Sequence, residues 1–207
     1  MRVTFVSGWA GLPCLYPHIA ERVDFLVPFF SHSPAQIEQA LATECELLIG
    51  WSTGAHLILK QLELAGRTAG QIILIAPFLD FPNCVAPRIV NRMRQRLLRE
   101  AEATVEDFWA RCGNRHQACP PLKKEQIESL ATGLDFLNSS TAKPEAGRAS
   151  RLTLVRCQDD QLVPEAAFQA TLGALGHASV TSIAAAHLPT EPQLTRIIAD
   201  VSGSALF

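Results

Sequence analysis

None of the six cysteines (Cys14, Cys45, Cys84, Cys112, Cys119, Cys157) forms a C-x-x-C pair, and zinc-ligand spacing is absent. No structural metal site is therefore expected. An even number of cysteines would suit a disulfide framework in a secreted protein, but 48% of these 207 residues are hydrophobic. Such a chain can bury a sizeable core without covalent staples, so free thiols are expected. No apolar run approaches the roughly 18 residues of a membrane span. A net charge of -2 carries no global footprint of nucleic-acid binding. A signal peptide is not expected at the N-terminus either: Met1-Arg2-Val3-Thr4-Phe5-Val6 begins like one, but Ser7-Gly8-Trp9-Ala10-Gly11 breaks the run too early, and the stretch reads as a first strand. One compact cytoplasmic domain is expected.

What the chain does contain is a sharp strand-turn-helix signal. The apolar run Leu47-Leu48-Ile49 leads into Gly50-Trp51-Ser52-Thr53-Gly54, and an amphipathic segment follows at once. This is the G-x-S-x-G form of a nucleophile elbow. Its two glycines have a steric rationale: a serine on so tight a turn brings strand and helix backbones close enough for a Cβ to collide. The following helix N-terminus would direct free amides and the positive end of its dipole toward an oxyanion beside Ser52.

Strands are predicted at residues 2–6, 24–27, 46–50, 71–76, 152–156 and 180–184, and a helix at 34–43 with Ser33 as its N-cap and Pro34 at its first position. Nearly continuous apolar strands separated by helical stretches imply a parallel sheet covered on both faces. In such a sheet the ligand site lies beyond the carboxyl ends of the strands. The loops there supply Ser7-Gly8-Trp9, Ser52, Gln158-Asp159-Asp160 and Ala185-Ala186-His187, in the chain order Ser, Asp, His. His187 would act as base and then acid for Ser52, and Asp160 would orient the imidazole. The backbone amides of Trp9 and Thr53 are the candidate oxyanion donors. Asp159 competes with Asp160, which the D-x-L-V-P spacing favours. His177 precedes the last predicted strand and falls at the wrong edge of the sheet. His56 lies one helical turn after Ser52 and is read as a packing residue, while His18, His32 and His116 are assigned to surface or loops.

Residues 82–150 show helical pattern and polar turns but no strand, as expected of a helical lid inserted into a core formed by 1–81 and 151–207. Positive charge gathers in this insert, where 11 Lys and Arg face 8 Asp and Glu, against 7 facing 12 elsewhere. Residues 88–99 contain five arginines and no acid, and Arg88, Arg92, Arg96 and Arg99 would share a helix face. A basic stripe is most often a solvated face. Without a balancing acid it is also a candidate docking face for an anionic partner, and an acidic carrier protein or a phosphate-bearing substrate suits a lid over a nucleophilic serine better than nucleic acid.

Ser7-Gly8-Trp9-Ala10-Gly11, Gly50-Trp51-Ser52, Asp160-Gln161-Leu162-Val163-Pro164, Ala185-Ala186-His187 and the insert segments Thr104-Val105-Glu106-Asp107-Phe108 and Leu134-Asp135-Phe136-Leu137 are together similar to the pimeloyl-[acyl-carrier protein] methyl ester carboxylesterases of biotin synthesis. The resemblance implies an α/β-hydrolase fold and a cofactor-free serine esterase that demethylates a carrier-bound acyl ester. It also implies carrier or substrate contacts at Trp9, Trp51, Arg88, Arg92, Arg96 and Arg99. Three departures stand out: Ser7 replaces a usual histidine, Ala55 replaces a frequent second glycine, and the chain begins directly at the first catalytic-loop strand. A minimal, mostly parallel sheet of about six strands is expected rather than eight. The alternatives are a general short-chain carboxylesterase and a non-catalytic protein that keeps only the fold.

Overall fold

The apolar runs become the strands β1 (Val3–Val6), β2 (Asp24–Leu26), β3 (Cys45–Trp51), β4 (Ala69–Ile75), β5 (Leu152–Cys157) and β6 (Ser179–Ile183). They form one sheet in the order β2-β1-β3-β4-β5-β6, and every pairing is parallel. This is a computed structural model, and it describes residues 2–144, 151–176 and 178–203. All six predicted strands are present, with ends displaced by no more than two residues, as at β4, which starts at Ala69 rather than Gln71. His177 and residues 145–150 of the predicted lid lie outside the described residues.

The helices are α1 (Pro17–Ala20), α2 (Pro34–Leu41), α3 (Thr53–Lys60), α4 (Leu62–Thr68), α5 (Pro87–Leu97), α6 (Ala101–Arg111), α7 (Lys124–Ser139), α8 (Glu165–Leu175) and α9 (Glu191–Ser202). At α2 the predicted start is explicit in the geometry. The Gln36 amide donates to Ser33 Oγ at 3.3 Å, and the Ser33 amide donates to Gln36 Oε1 at 2.8 Å, a reciprocal capping box ahead of Pro34. The helix closes at Leu41, two residues before the predicted end.

Because successive strand side chains alternate between faces, each strand feeds two cores. Leu48, Ile72, Leu74 and Leu154 pack under α2, α3, α4 and α8 through Ile37, Ile58, Leu62 and Phe168. Phe5, Ile49, Ile73 and Val155 point the other way, against Ile19 of α1 and Leu194 and Ile198 of α9. The insert, α5 to α7, continues this second core through Val90, Leu97, Val105, Trp109, Leu130 and Leu134. It is built on the same apolar surface as the sheet. Its two stems meet where Asp80 and Thr141 form an antiparallel bridge. No helix among the described residues is long and apolar enough to cross a membrane.

Candidate active site

Strand order reverses around β1, which lies between β2 and β3, so the loops leaving β1 and β3 diverge at a topological switch point. Ser7-Gly8-Trp9 leaves β1 there, and Ser52 leaves β3. Ser52 has φ 53° and ψ -114°, a strained conformation for a residue with a side chain. It is held there on both sides: its amide donates to Ile75 O at 2.9 Å, and its carbonyl accepts the His56 amide at 2.9 Å. The flanking glycines are required. A Cβ on Gly50 would lie 2.8 Å from Ala55 Cα, and one on Gly54 would lie 2.0 Å from Val6 O.

Three loops bring the candidate triad together. His187 Nε2 lies 2.8 Å from Ser52 Oγ, and its Nδ1 lies 2.7 Å from Asp160 Oδ2. Asp160 Oδ1 accepts the amides of Leu162 at 2.7 Å and Val163 at 2.9 Å. Its Oδ2 is left to accept Nδ1–H, which turns the Nε2 lone pair toward the Ser52 hydroxyl. The D-x-L-V spacing thus has a structural meaning: the turn's own amides fix the carboxylate. Asp159 is exposed, and its amide donates to Ala185 O. His187 and the Asp160 side chain are 0% and 4% exposed, so the pair works in a medium that strengthens its hydrogen bonds.

Trp9 and Thr53 line the cavity beside Ser52, and among the described residues their amides have no acceptor. Gly8 sits so close that an added Cβ would come within 3.3 Å of Ser52 Cβ. Ser7, the departure from the resembled family, shapes this loop: its hydroxyl donates to Gly11 O at 2.7 Å. Two indoles seal the loop to the insert. Trp9 Nε1 donates to Leu130 O at 2.8 Å, and Trp109 Nε1 donates to Ala10 O at 2.9 Å.

Trp51 is not a cavity residue, contrary to the expectation from resemblance. As the last residue of β3 it shares a face with Ile49 and is buried, and its Nε1 donates to His187 O at 2.8 Å. It therefore holds the histidine loop from behind. Trp51→Phe should keep the packing but leave a buried carbonyl unpaired, lowering kcat by about tenfold with little change in KM. Steady-state kinetics on any ester the protein turns over would check this.

Above Ser52 lies a cavity of about 520 Å³, walled by apolar side chains that include Val90, Met93, Phe108 and Leu134. Cys84 joins this wall. Burial, and secondarily the charges of Asp160 and Asp80, push its thiol up to about 12, so it remains a neutral apolar wall group.

The arginines are distributed differently from the predicted stripe. Arg88 and Arg92 are exposed on α5, but Arg96 is engaged by Glu100 and Asp107, and Arg99 falls beyond the end of α5. None of the four lines the cavity. Arg111 and Arg115 do, both exposed and with no acidic partner among the described residues. Arg111 is the last residue of α6 and Arg115 lies in the loop four residues beyond it, so no helical spacing marks the pair in the sequence, where the five arginines of residues 88–99 are denser.

No protein-family model and no curated protein matches the chain. Solved structures do. An enol-lactonase from Burkholderia xenovorans LB400 superposes with a TM-score of 0.71 at 12% identity, over 98% of this chain and 91% of that one. The esterase EaEST from Exiguobacterium antarcticum gives 0.69 at 12%, over 99% and 92%. The bottromycin epimerase BotH gives 0.65 at 13%, over 99% and 90%. The fold is that of the α/β-hydrolases, in a minimal form with six parallel strands. BotH indicates that this fold also serves chemistry other than hydrolysis, so function has to be argued from the site.

Proposed function

We propose that this protein is a serine carboxylesterase of the cytoplasm that removes the methyl group from pimeloyl-[acyl-carrier protein] methyl ester. The observation that carries the esterase reading is the continuous chain Ser52 Oγ, His187 Nε2, His187 Nδ1, Asp160 Oδ2, set beside two unoccupied amides at the floor of an apolar cavity. Ser52 Oγ attacks the ester carbonyl while His187 takes its proton. The carbonyl oxygen becomes an oxyanion held by the Trp9 and Thr53 amides. As the C–O bond to the alcohol breaks, His187 returns the proton and methanol leaves. Water, deprotonated by His187, then attacks the acyl-Ser52 carbonyl; Ser52 recovers its proton and the free acid departs.

The finer reading, with a carrier protein as partner, is supported by the sequence resemblance and by the cation placement. Arg111 and Arg115 stand at the cavity rim, with Arg88 and Arg92 exposed on α5, so these four form the proposed docking set. Arg96 leaves it because two carboxylates already satisfy its guanidinium. The test is mass-spectrometric demethylation of the carrier-bound methyl ester. An Arg111→Glu/Arg115→Glu double variant should lose about 10- to 100-fold in kcat/KM on that substrate, with the loss shrinking as salt rises, and stay near parity on a small neutral ester. Equal rates on both substrates would remove the carrier protein from the proposal and leave a general carboxylesterase, the reading that the esterase among the structural neighbours favours.

A further inference from the structure

We propose that His56 is a positioning residue that ties both stems of the helical insert to the nucleophile helix α3 and thereby sets the shape of the cavity over Ser52. His56 follows Ser52 by one helical turn and is fully buried. Its Nδ1 is 3.2 Å from Phe78 O, on the stem entering the insert, and its Nε2 is 2.9 Å from Ser140 Oγ, at the C-cap of α7 on the stem leaving it. Its ring stacks on Phe78 at 4.9 Å and 14°, and meets the edge of Phe136 of α7 at 5.8 Å. Lys60, at the other end of α3, donates to the same Ser140 Oγ at 3.0 Å.

The proton order follows from the donors available. Lys60 Nζ donates to Ser140 Oγ, Ser140 donates its own proton to His56 Nε2, and Nδ1–H donates to the Phe78 carbonyl. This requires a neutral ring. Burial supplies it, lowering the histidine to about 4 against the raising effect of its bond to Phe78; Lys60 lowers it further and Asp80 opposes.

Apolar packing seats both stems, with Phe78 buried in one core and Ala142 in the other, but polar contacts from the core to the stems are few. Between them run the Asp80–Thr141 bridge, the Ala142 amide to Leu79 O at 2.8 Å and the Thr141 hydroxyl to Asp80 Oδ2 at 3.3 Å, while Asp80 Oδ1 is buried without a partner among the described residues. These polar contacts join stem to stem, whereas those of His56 tie both stems, and that of Lys60 the leaving stem, to the helix that follows the nucleophile. The Ser140–His56 pair has the spacing of a Ser–His dyad, but Ser140 does not line the cavity, so a nucleophilic role is not indicated.

The inference rests on the esterase reading only for what the cavity receives, and its test has a readout independent of activity. In Ser140→Ala, amide hydrogen exchange in α5 and α6 should accelerate by about tenfold while β3 and β4 exchange as before. Ser140→Thr, which keeps the hydroxyl, should restore the slow exchange, and His56→Phe, which keeps the stacking but loses both polar contacts, should behave like Ser140→Ala or more severely. With a methyl ester whose acyl chain fills the cavity, KM should rise about fivefold in Ser140→Ala, with kcat on a small acetyl ester within about twofold of the parent. Unchanged exchange in the insert, or equal acceleration in β3 and β4, would overturn the proposal. If the parent protein hydrolyses no ester but Ser140→Ala still loosens α5 and α6, the esterase reading fails and the latch stands.

Discussion

Ser52→Ala should lower turnover of any ester this protein hydrolyses by about 10⁴- to 10⁶-fold, without loss of fold. Removing the hydroxyl leaves the oxyanion amides and the cavity in place, so a trace of activity from binding and polarisation alone should survive. The conformation argues against a general structural loss. At φ 53° an alanine is as strained as a serine, and the Ile75 O and His56 amide contacts that hold the turn are made by the backbone. The measurement is single-turnover hydrolysis with intact-mass detection, in which the parent should show an acyl adduct on Ser52 and the variant none. Undiminished hydrolysis in Ser52→Ala would place the chemistry elsewhere.

Gly54→Ala should be severely damaging for the addition of a single methyl. A Cβ there would sit 2.0 Å from Val6 O and 2.6 Å from Ser7 O, both backbone atoms of the strand and loop that carry Trp9. Neither can swing aside as a side-chain end could, so α3 would have to lift away from β1. The expected cost is about 3–5 kcal/mol, a large part of a domain's ~5–15 kcal/mol of stability. The lift would also separate the Trp9 and Thr53 amides. Gly173, inside α8 with nothing within 4 Å of an added Cβ, is the matched control: Gly173→Ala should raise stability by about 0.5–1 kcal/mol. Chemical denaturation of the two variants checks both signs. A mild effect at Gly54 would mean that the elbow is looser than its contacts imply.

The sheet and the elbow were readable because their physics is local. A strand buried on both faces must be apolar throughout, and a serine at a strained turn needs glycines beside it; both leave marks within a few residues. The Asp160 turn was readable for the same reason, since its carboxylate is satisfied by amides two and three residues on. The arginine pattern was misread because ion pairing is only partly local: Glu100, just past the stretch, meets Arg96 one helical turn on, but the other partners are distant in sequence. Within residues 88–99 no acid appears, yet Arg96 finds Asp107 on α6 and Arg94 finds Asp135 on α7 at 2.8 Å. Only the packing of the three insert helices brings those carboxylates near. Trp51 was expected to contact substrate only from the resemblance, through Gly50-Trp51-Ser52. The alternation of a strand puts it on the sheet face behind the histidine loop instead. His56 was correctly read as a packing residue, but its two hydrogen-bond partners come from stems 22 and 84 residues away, which no window of sequence displays.

The chain has three tryptophans, and each spends its indole proton on a backbone carbonyl around the same small volume: Trp9 on the insert, Trp109 on the loop after β1, Trp51 on the loop of His187. None is elsewhere in the molecule. Its tryptophan emission consequently reports on the loops around Ser52 and, through Trp9 and Trp109, on the seam between insert and sheet, so that parting the seam, or filling the space beneath it, changes the colour and intensity of the native fluorescence with no label attached.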